Sequence, residues 1–133
     1  MILRSDSIAG VRDAIRSWVH LLATKRFGEA AQEINTHDSP CSSELLVEAI
    51  GRYSRKYRDA ALSEKADLFP KITSPKEMVS AGENLVIYVK RDGTVIEYDL
   101  PINNAWSDLT VKFQLKRLIG GEYDLSLLDI RVL

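Results

Sequence analysis

The dipeptide Asp92-Gly93 lies between two runs of β-forming residues, and it restricts the fold more than any other feature of the chain. An Asp-Gly pair between alternating apolar residues is a strong local signal of a β-hairpin, because both residue types accept the positive φ angles of a tight turn. We therefore predict a two-residue turn at Asp92-Gly93. This turn would place Val89 opposite Ile96 and Ile87 opposite Tyr98 on one apolar face.

Two more strands are predicted after the hairpin, a third over about Ser107–Lys116 and a fourth over about Glu122–Val132. In the fourth strand the apolar residues occupy odd positions up to Leu127 and even positions from Leu128 onwards. An extra, unpaired residue produces such a change of parity, so we predict a β-bulge near Leu127-Leu128. Because a bulge bends the sheet, we expect the helices to pack on its concave side and to form a cone with a pocket.

The first half of the chain has helical periodicity instead. Apolar residues recur every three to four positions in three segments, which predicts helices over about 7–24, over about 27–34 and from about 43 onwards. Ser42 or Ser43 would cap the third helix by accepting a hydrogen bond from an early backbone N–H. Gly51 lies inside this helix, where glycine costs about 1 kcal/mol relative to alanine, so we expect a close packing contact there. The following stretch is hard to interpret, although Phe69–Ile72 could form a short edge strand.

Length and composition indicate one ordinary domain over residues 1–133, with a net charge of −1. Nucleic-acid binders usually carry a basic excess, and this chain does not. It also has no apolar run of roughly 20 residues to span a membrane and no apolar core of a signal peptide. Cys41, His20 and His37 are too few to complete a Cys/His zinc site. We expect a cytoplasmic protein without metal or cofactor that binds neither nucleic acid nor membrane.

Two segments near the C-terminus resemble a known family. The strand start Ser107-Asp108-Leu109-Thr110 and the terminus Asp129-Ile130-Arg131-Val132-Leu133 are similar to an uncharacterised bacterial family in the NTF2-like superfamily. Members of that family have a Ser-Asp-Leu-Thr strand start and end in Asp-Ile-x-Val-Leu, usually with His where this chain has Arg131. The resemblance implies an α+β cone, with three N-terminal helices followed by a curved antiparallel sheet of four or more strands.

The resemblance implies two kinds of function. NTF2-like domains include isomerases, dehydratases and small-ligand binders, which use a pocket. They also include protein-binding modules, among them immunity proteins that neutralise toxins, and many of these domains dimerise through the sheet. No catalytic motif stands out in the sequence. We therefore predict a non-enzymatic protein-binding module of an immunity or regulatory type, and keep the pocket protein as the alternative.

Seven residues are candidates for a binding site under these two hypotheses: Tyr88, Glu97, Asp99, Trp106, Asp108, Asp129 and Arg131. In the predicted register Tyr88 faces Glu97, and a tyrosine–carboxylate pair in a pocket could transfer protons. The same contact is equally an ordinary cross-strand pair. Asp108 is also interpretable as a turn residue. Trp106, with Trp18 and Tyr98, would line a pocket or belong to the core.

Two polar clusters have alternative interpretations. The basic residues of the third helix and its C-terminal continuation are a solvated face, an anion-binding patch or a rim for an acidic protein partner: Arg52, Arg55, Lys56 and Arg58. His37 and Asp38 precede Cys41 in a turn-rich loop, which offers a nucleophile and a base but no oxyanion signal. We interpret Cys41 as a small packing residue.

Overall fold

Three helices and a five-stranded antiparallel sheet form the part of the chain that the computed structural model describes, residues 1–36, 38–56, 70–79 and 81–132. The helices are α1 (Ile8–Ala23), α2 (Phe27–Glu33) and α3 (Ser43–Lys56), and a 3-10 turn follows at Pro75–Glu77. The strands are β1 (Ile2–Leu3), β2 (Leu85–Lys90), β3 (Gly93–Ile102), β4 (Ala105–Arg117) and β5 (Tyr123–Val132). Their order in the sheet is β1-β5-β4-β3-β2. The predicted α+β class is confirmed, and β1 is a strand that the sequence analysis missed.

Serine side chains cap the first and third helices. The Ser7 hydroxyl accepts a hydrogen bond of 3.1 Å from the Gly10 amide at the start of α1. The Ser42 hydroxyl accepts one of 3.1 Å from the Leu45 amide, so Ser42 rather than Ser43 caps α3. The expected close contact at Gly51 is wrong, because a Cβ added there would meet nothing within 4 Å.

The predicted hairpin forms, but its turn lies one residue earlier than predicted and its register differs by two residues. Ile87 lies opposite Ile96 and not Tyr98, and the turn residues are Arg91-Asp92. Gly93 uses its positive φ of 144° as the first residue of β3, which lets it pair with Lys90 and close the hairpin. Side chains alternate with a period of two, so this shift changes every cross-strand partner but leaves the same residues on each face.

The predicted bulge in β5 is confirmed. Phe113 of β4 faces Leu127 and Lys112 faces Asp129, which leaves Leu128 as the extra residue. Leu127 and Ile130 therefore both turn towards the core, although their parity differs. A second register shift lies in β3 between Asp99 and Pro101. Bulges bend antiparallel sheets, so these positions are compatible with the predicted cone.

The core lies between the helices and one face of the sheet. It joins the buried stripe of α1 to inward-facing residues of β3, β4 and β5. Trp18 packs edge-to-face on Phe113 at 5.5 Å between ring centroids, and its indole N–H donates to the Ala30 carbonyl at 3.0 Å. Trp18 and Tyr98 are fully buried, so both belong to the core.

Where a short edge strand was predicted over Phe69–Ile72, the described residues form an isolated β-bridge. Ile72 pairs with Ile102 in antiparallel fashion, while Phe69 lies outside the described residues. No helix in the described ranges is long and apolar enough to cross a membrane.

Candidate functional site

Five of the seven predicted site residues lie on the sheet face opposite the helices: Tyr88, Glu97, Asp99, Asp129 and Arg131. Glu97, Lys112 and Asp129 form one cross-strand row on this outer face, with alternating charge. The predicted pairing of Tyr88 with Glu97 is wrong, because the register places Tyr88 opposite Val95. The role of these residues in binding remains a prediction.

Two of the predicted aspartates are held by neighbouring elements. Asp99 accepts hydrogen bonds from the Thr110 hydroxyl at 2.6 Å and from the Asn84 side-chain amide at 2.9 Å. Asp108 accepts one of 3.2 Å from the Tyr53 hydroxyl, which connects α3 to the start of β4. These carboxylates therefore have structural contacts that join elements distant in sequence.

The structure shows a polar cluster around a single carboxylate, Glu83, which the sequence analysis did not predict. Glu83 accepts a 2.9 Å hydrogen bond from the Tyr98 hydroxyl and one of 2.7 Å from Nε of Arg16. Nε of Arg12 lies 3.1 Å from the other Glu83 oxygen as an ion pair, without the alignment of a hydrogen bond. Trp106 packs edge-to-face on Tyr98 at 6.1 Å. The only sequence signal for this cluster is the spacing of Arg12 and Arg16, one turn apart on α1.

The cluster changes the pKa of two of its members. Burial, followed by the hydrogen bond to Glu83, raises the pKa of the Tyr98 phenol well above its ordinary value. The hydrogen bond to Glu83 is the main cause that raises the pKa of Arg16. Tyr98 is thus held protonated and Arg16 charged, which suits a structural connection better than proton transfer near neutral pH.

A groove between α3 and β5 brings together two of the predicted site residues, Asp129 and Arg131. It consists of two adjoining depressions of about 250 and 330 Å³, which share Ala49, Arg52, Asp129 and Ile130 in their walls. Apolar side chains contribute much of the surface, and Arg52, Asp129 and Arg131 carry the charges at its margin. We call this feature the α3–β5 groove.

The charges of the α3–β5 groove are paired with near neighbours on the surface. Asp129 lies 3.4 Å from Nε of Arg131, with 46% and 54% of the two side chains exposed. Nε of Arg52 lies 3.6 Å from Glu48, one helical turn away. Exposed ion pairs of this kind contribute about 0–1 kcal/mol each, so they can be exchanged for pairs with a partner at little cost.

The outer edge of β5 adjoins this groove. β1 covers it only at Tyr123 and Asp124, and the amides of Leu125 and Leu127 donate to the carbonyls of Met1 and Asn35 at 2.8 and 2.7 Å. Beyond Leu127, none of the strands in the described part of the chain pairs with this edge. The last residues of β5 therefore combine an open strand edge with a neighbouring helix.

A second cavity of about 410 Å³ lies between the start of α1 and the hairpin end of the sheet. Its walls are mainly aliphatic: Ile8, Val11, Ile87, Val89, Ile96 and Leu115. Asp6 and Arg117 are the charged residues that line it. We call it the α1 pocket.

The other predicted polar groups do not form a site among the described residues. Burial raises the pKa of the Cys41 thiol, which makes it a weak nucleophile at neutral pH. His37, Arg58 and the side chains of Arg55 and Lys56 lie outside what the structure describes. The described residues contain no group of three or more His, Cys, Asp or Glu side chains that could hold a metal ion.

Comparison of the chain with known protein families, with curated proteins and with solved structures finds no match in any of the three. The NTF2-like resemblance therefore stays a prediction. In the described part of the chain, fold and site together define an α+β domain in which no strand pairs with the end of the outer β5 edge, beside a helix.

Proposed function

We propose that this chain is a non-enzymatic protein-binding module that contacts its partner through the α3–β5 groove. The observation that carries the proposal is the combination in this groove of an apolar floor, charged margins of both signs and an open strand edge. Protein interfaces have the same arrangement, with an apolar centre and a polar rim. An immunity-type role, in which the partner is a toxin, and a regulatory role are the two forms of this function that the family resemblance implies.

The surface around the groove also favours a protein over a small molecule. Leu45 of α3 lines the groove and is 41% exposed, which makes apolar area available to a partner. Small-molecule sites enclose most of their ligand, whereas this groove runs openly along a helix and a strand. The charges of Arg52, Asp129 and Arg131 would set the orientation of a partner and its rate of association.

Affinity capture with charge-reversed variants tests the proposal. Arg131→Glu places two negative charges side by side at the groove margin, so we expect the retained partner to fall by about tenfold. Lys90→Glu makes the same change at the far edge of the sheet and should leave capture within about twofold of wild type. Equal loss of capture in both variants would contradict the proposed surface. If no protein is retained and a small molecule co-purifies instead, the binding-module function is wrong.

The α1 pocket supports the second candidate function, a small-molecule binder. Its aliphatic walls would take an apolar ligand, with Asp6 and Arg117 at the margin to interact with a polar group. Native mass spectrometry of the purified chain would show a retained compound. Ile8→Asp should release it, because Ile8 lines the pocket, and Val79→Asp at a fully exposed position should not. If wild type retains no compound and takes up no apolar probe, this candidate fails.

A further inference from the structure

We infer that the partner contributes an extended segment, which adds to the open edge of β5 as an antiparallel strand between this edge and α3. The inference rests on the proposed protein-binding function and specifies how the partner is recognised. It also specifies the chemistry of the partner segment, an alternation of apolar residues with one acidic and one basic residue.

The hydrogen-bonding groups of β5 point in the required direction. The amides of Leu125 and Leu127 already donate away from β4, to Met1 and Asn35. Beyond the bulge, the amide of Ile130 donates at 2.9 Å to the carboxylate of the preceding residue, Asp129, and is thus satisfied locally. Alternate residues of a strand direct their backbone groups to the same edge, so Val132 shares the direction of Ile130. A partner strand would replace the Asp129 side chain as the acceptor for Ile130.

The α3–β5 groove offers two depressions beside this edge for the side chains of an added strand. Neighbouring strands lie about 4.8 Å apart, and side chains on one face of a strand recur about every 6.6 Å. The two adjoining depressions of the α3–β5 groove share Ala49 and Ile130, and would take successive inward side chains of an added strand. Peptides that extend a sheet in this way obtain affinity from backbone pairing and specificity from such alternate pockets.

The charges on the outer face determine the order of residues in the segment. In an antiparallel strand, one residue would lie beside Arg131, the next beside Ile130 and the third beside Asp129. Opposite charges across a strand pair are stabilising and like charges are not. The partner segment should therefore read Glu-x-Lys in its chain direction, with an apolar residue at x.

A second copy of this chain is a poorer occupant, although Asp129 and Arg131 would pair across a two-fold axis through Ile130. An antiparallel pair of two β5 edges would bring the α3 helix of each copy to the same face of the joined sheet, beside the new strand pair. Packed helices need about 8–10 Å between their axes. A single strand from a different protein brings no second helix to this face.

A labelled peptide tests the inference directly. The probe is fluorescein-Ser-Leu-Glu-Val-Lys-Leu-Ser-amide, titrated with the full chain and followed by fluorescence anisotropy. N-methylation of its valine removes the amide that would donate to Ile130, so we expect about tenfold weaker binding. Exchange of Glu and Lys in the probe should weaken binding by about fivefold.

Two variants of α3 locate the binding site. Ala49→Phe fills the α3–β5 groove and should weaken probe binding by about tenfold. Val47→Phe adds the same ring on α3 away from the groove lining and should change binding by less than about twofold. Circular dichroism and thermal unfolding of both variants confirm that each is folded.

Three results would overturn the inference. The first is that the probe does not bind at about 1 mM, which is the weak end of specific affinity. The second is that the N-methylated probe binds as tightly as the unmodified probe. The third is that Ala49→Phe binds the probe as tightly as wild type does. If the captured partner is retained equally by Ala49→Phe and wild type, strand addition is wrong but the protein-binding function stands. If wild type retains no partner and the probe does not bind, both are wrong.

Discussion

At the scale of single residues, Glu83 connects parts of the chain that are distant in sequence. It joins Arg12 and Arg16 of α1 to Tyr98 of β3, and 18% of its side chain is exposed. A carboxylate can be this deeply placed because ion pairs and a hydrogen bond compensate for its lost hydration. The segment before β2 is consequently held against both the helical layer and the sheet.

Tyr98→Phe tests the hydrogen bond of this cluster. The variant keeps the buried ring but removes a donor to a charged acceptor, so we expect the free energy of unfolding to fall by about 1.5 kcal/mol. Urea denaturation at neutral pH measures the change. Tyr88→Phe removes a hydroxyl from an exposed tyrosine of the outer face and should change stability by less than about 0.5 kcal/mol. An equal effect of the two substitutions would argue against a stabilising Tyr98–Glu83 bond.

The raised pKa of Tyr98 predicts a specific dependence of stability on alkaline pH. A tyrosine in the unfolded chain ionises at about pH 10, whereas Tyr98 in the folded protein keeps its proton to higher pH because its pKa is raised. Its contribution is complete below the unfolded pKa and is lost as pH rises above it, because the unfolded state then releases the proton. The stability of wild type should therefore fall more steeply above about pH 10 than that of Tyr98→Phe. Parallel curves in urea denaturation at several pH values would contradict this prediction.

Gly82 is the glycine whose replacement should be most harmful. Its φ is +131°, and an added Cβ would lie 3.0 Å from Cδ1 of Trp106. Gly82→Ala should lower the free energy of unfolding by about 2 kcal/mol, through backbone strain and displacement of the indole. Gly28→Ala in α2 meets nothing within 4 Å and should stabilise the protein by about 0.5–1 kcal/mol. Thermal unfolding of both variants measures these changes in stability. If Gly82→Ala is as stable as wild type, Trp106 can move away from the added Cβ.

At the scale of elements, the serine caps provide a matched pair of variants. Ser42→Ala removes the acceptor for the Leu45 amide and should cost about 1 kcal/mol of stability. Ser43→Ala changes the adjacent residue, which is the first residue of α3, and should cost less than about 0.5 kcal/mol. Chemical denaturation of the two variants measures the difference. If the larger loss belongs to Ser43→Ala, the helix begins one residue later than in the structure.

The elements also show what periodicity can predict. The helices, the hairpin and the bulge at Leu128 were predictable, because each depends on which residues face the core. The hairpin register was not, since a shift of two residues leaves both faces unchanged. β1 has two residues, too few to show alternation. The sequence pattern therefore predicts which face of the sheet a side chain occupies more reliably than it predicts its cross-strand partner.

The candidate site was predictable only in part. Asp129 and Arg131 were identified from the C-terminal segment, and the structure places both at the margin of the α3–β5 groove with Arg52. Glu83 was missed because it lies in a segment without periodicity, and its arginine partners are about 70 residues earlier in the chain. Contacts that depend on tertiary packing have no local signal in the sequence.

At the scale of the whole molecule, β1 is much shorter than β5, so in the described part of the chain it covers only the start of the outer β5 edge. Edge strands pair readily with other chains, and proteins often protect them with charged side chains. Here β1 and the loop at Asn35 cover the start of β5, while Asp129 and Arg131 occupy its end. This part of the edge is protected by exchangeable contacts, which agrees with the proposed protein-binding surface.

Amide hydrogen exchange of the ¹⁵N-labelled chain, with and without the Glu-Val-Lys probe peptide, tests whether a strand adds to β5. We expect exchange at Ile130 and Val132 to slow by about tenfold or more, because their amides acquire partners in an added strand. Exchange at Val89, on the opposite edge of the sheet, should not change. Slower exchange in β2, or at the residues of the α1 pocket instead of β5, would contradict the claim that this protein recognises its partner at the edge of β5.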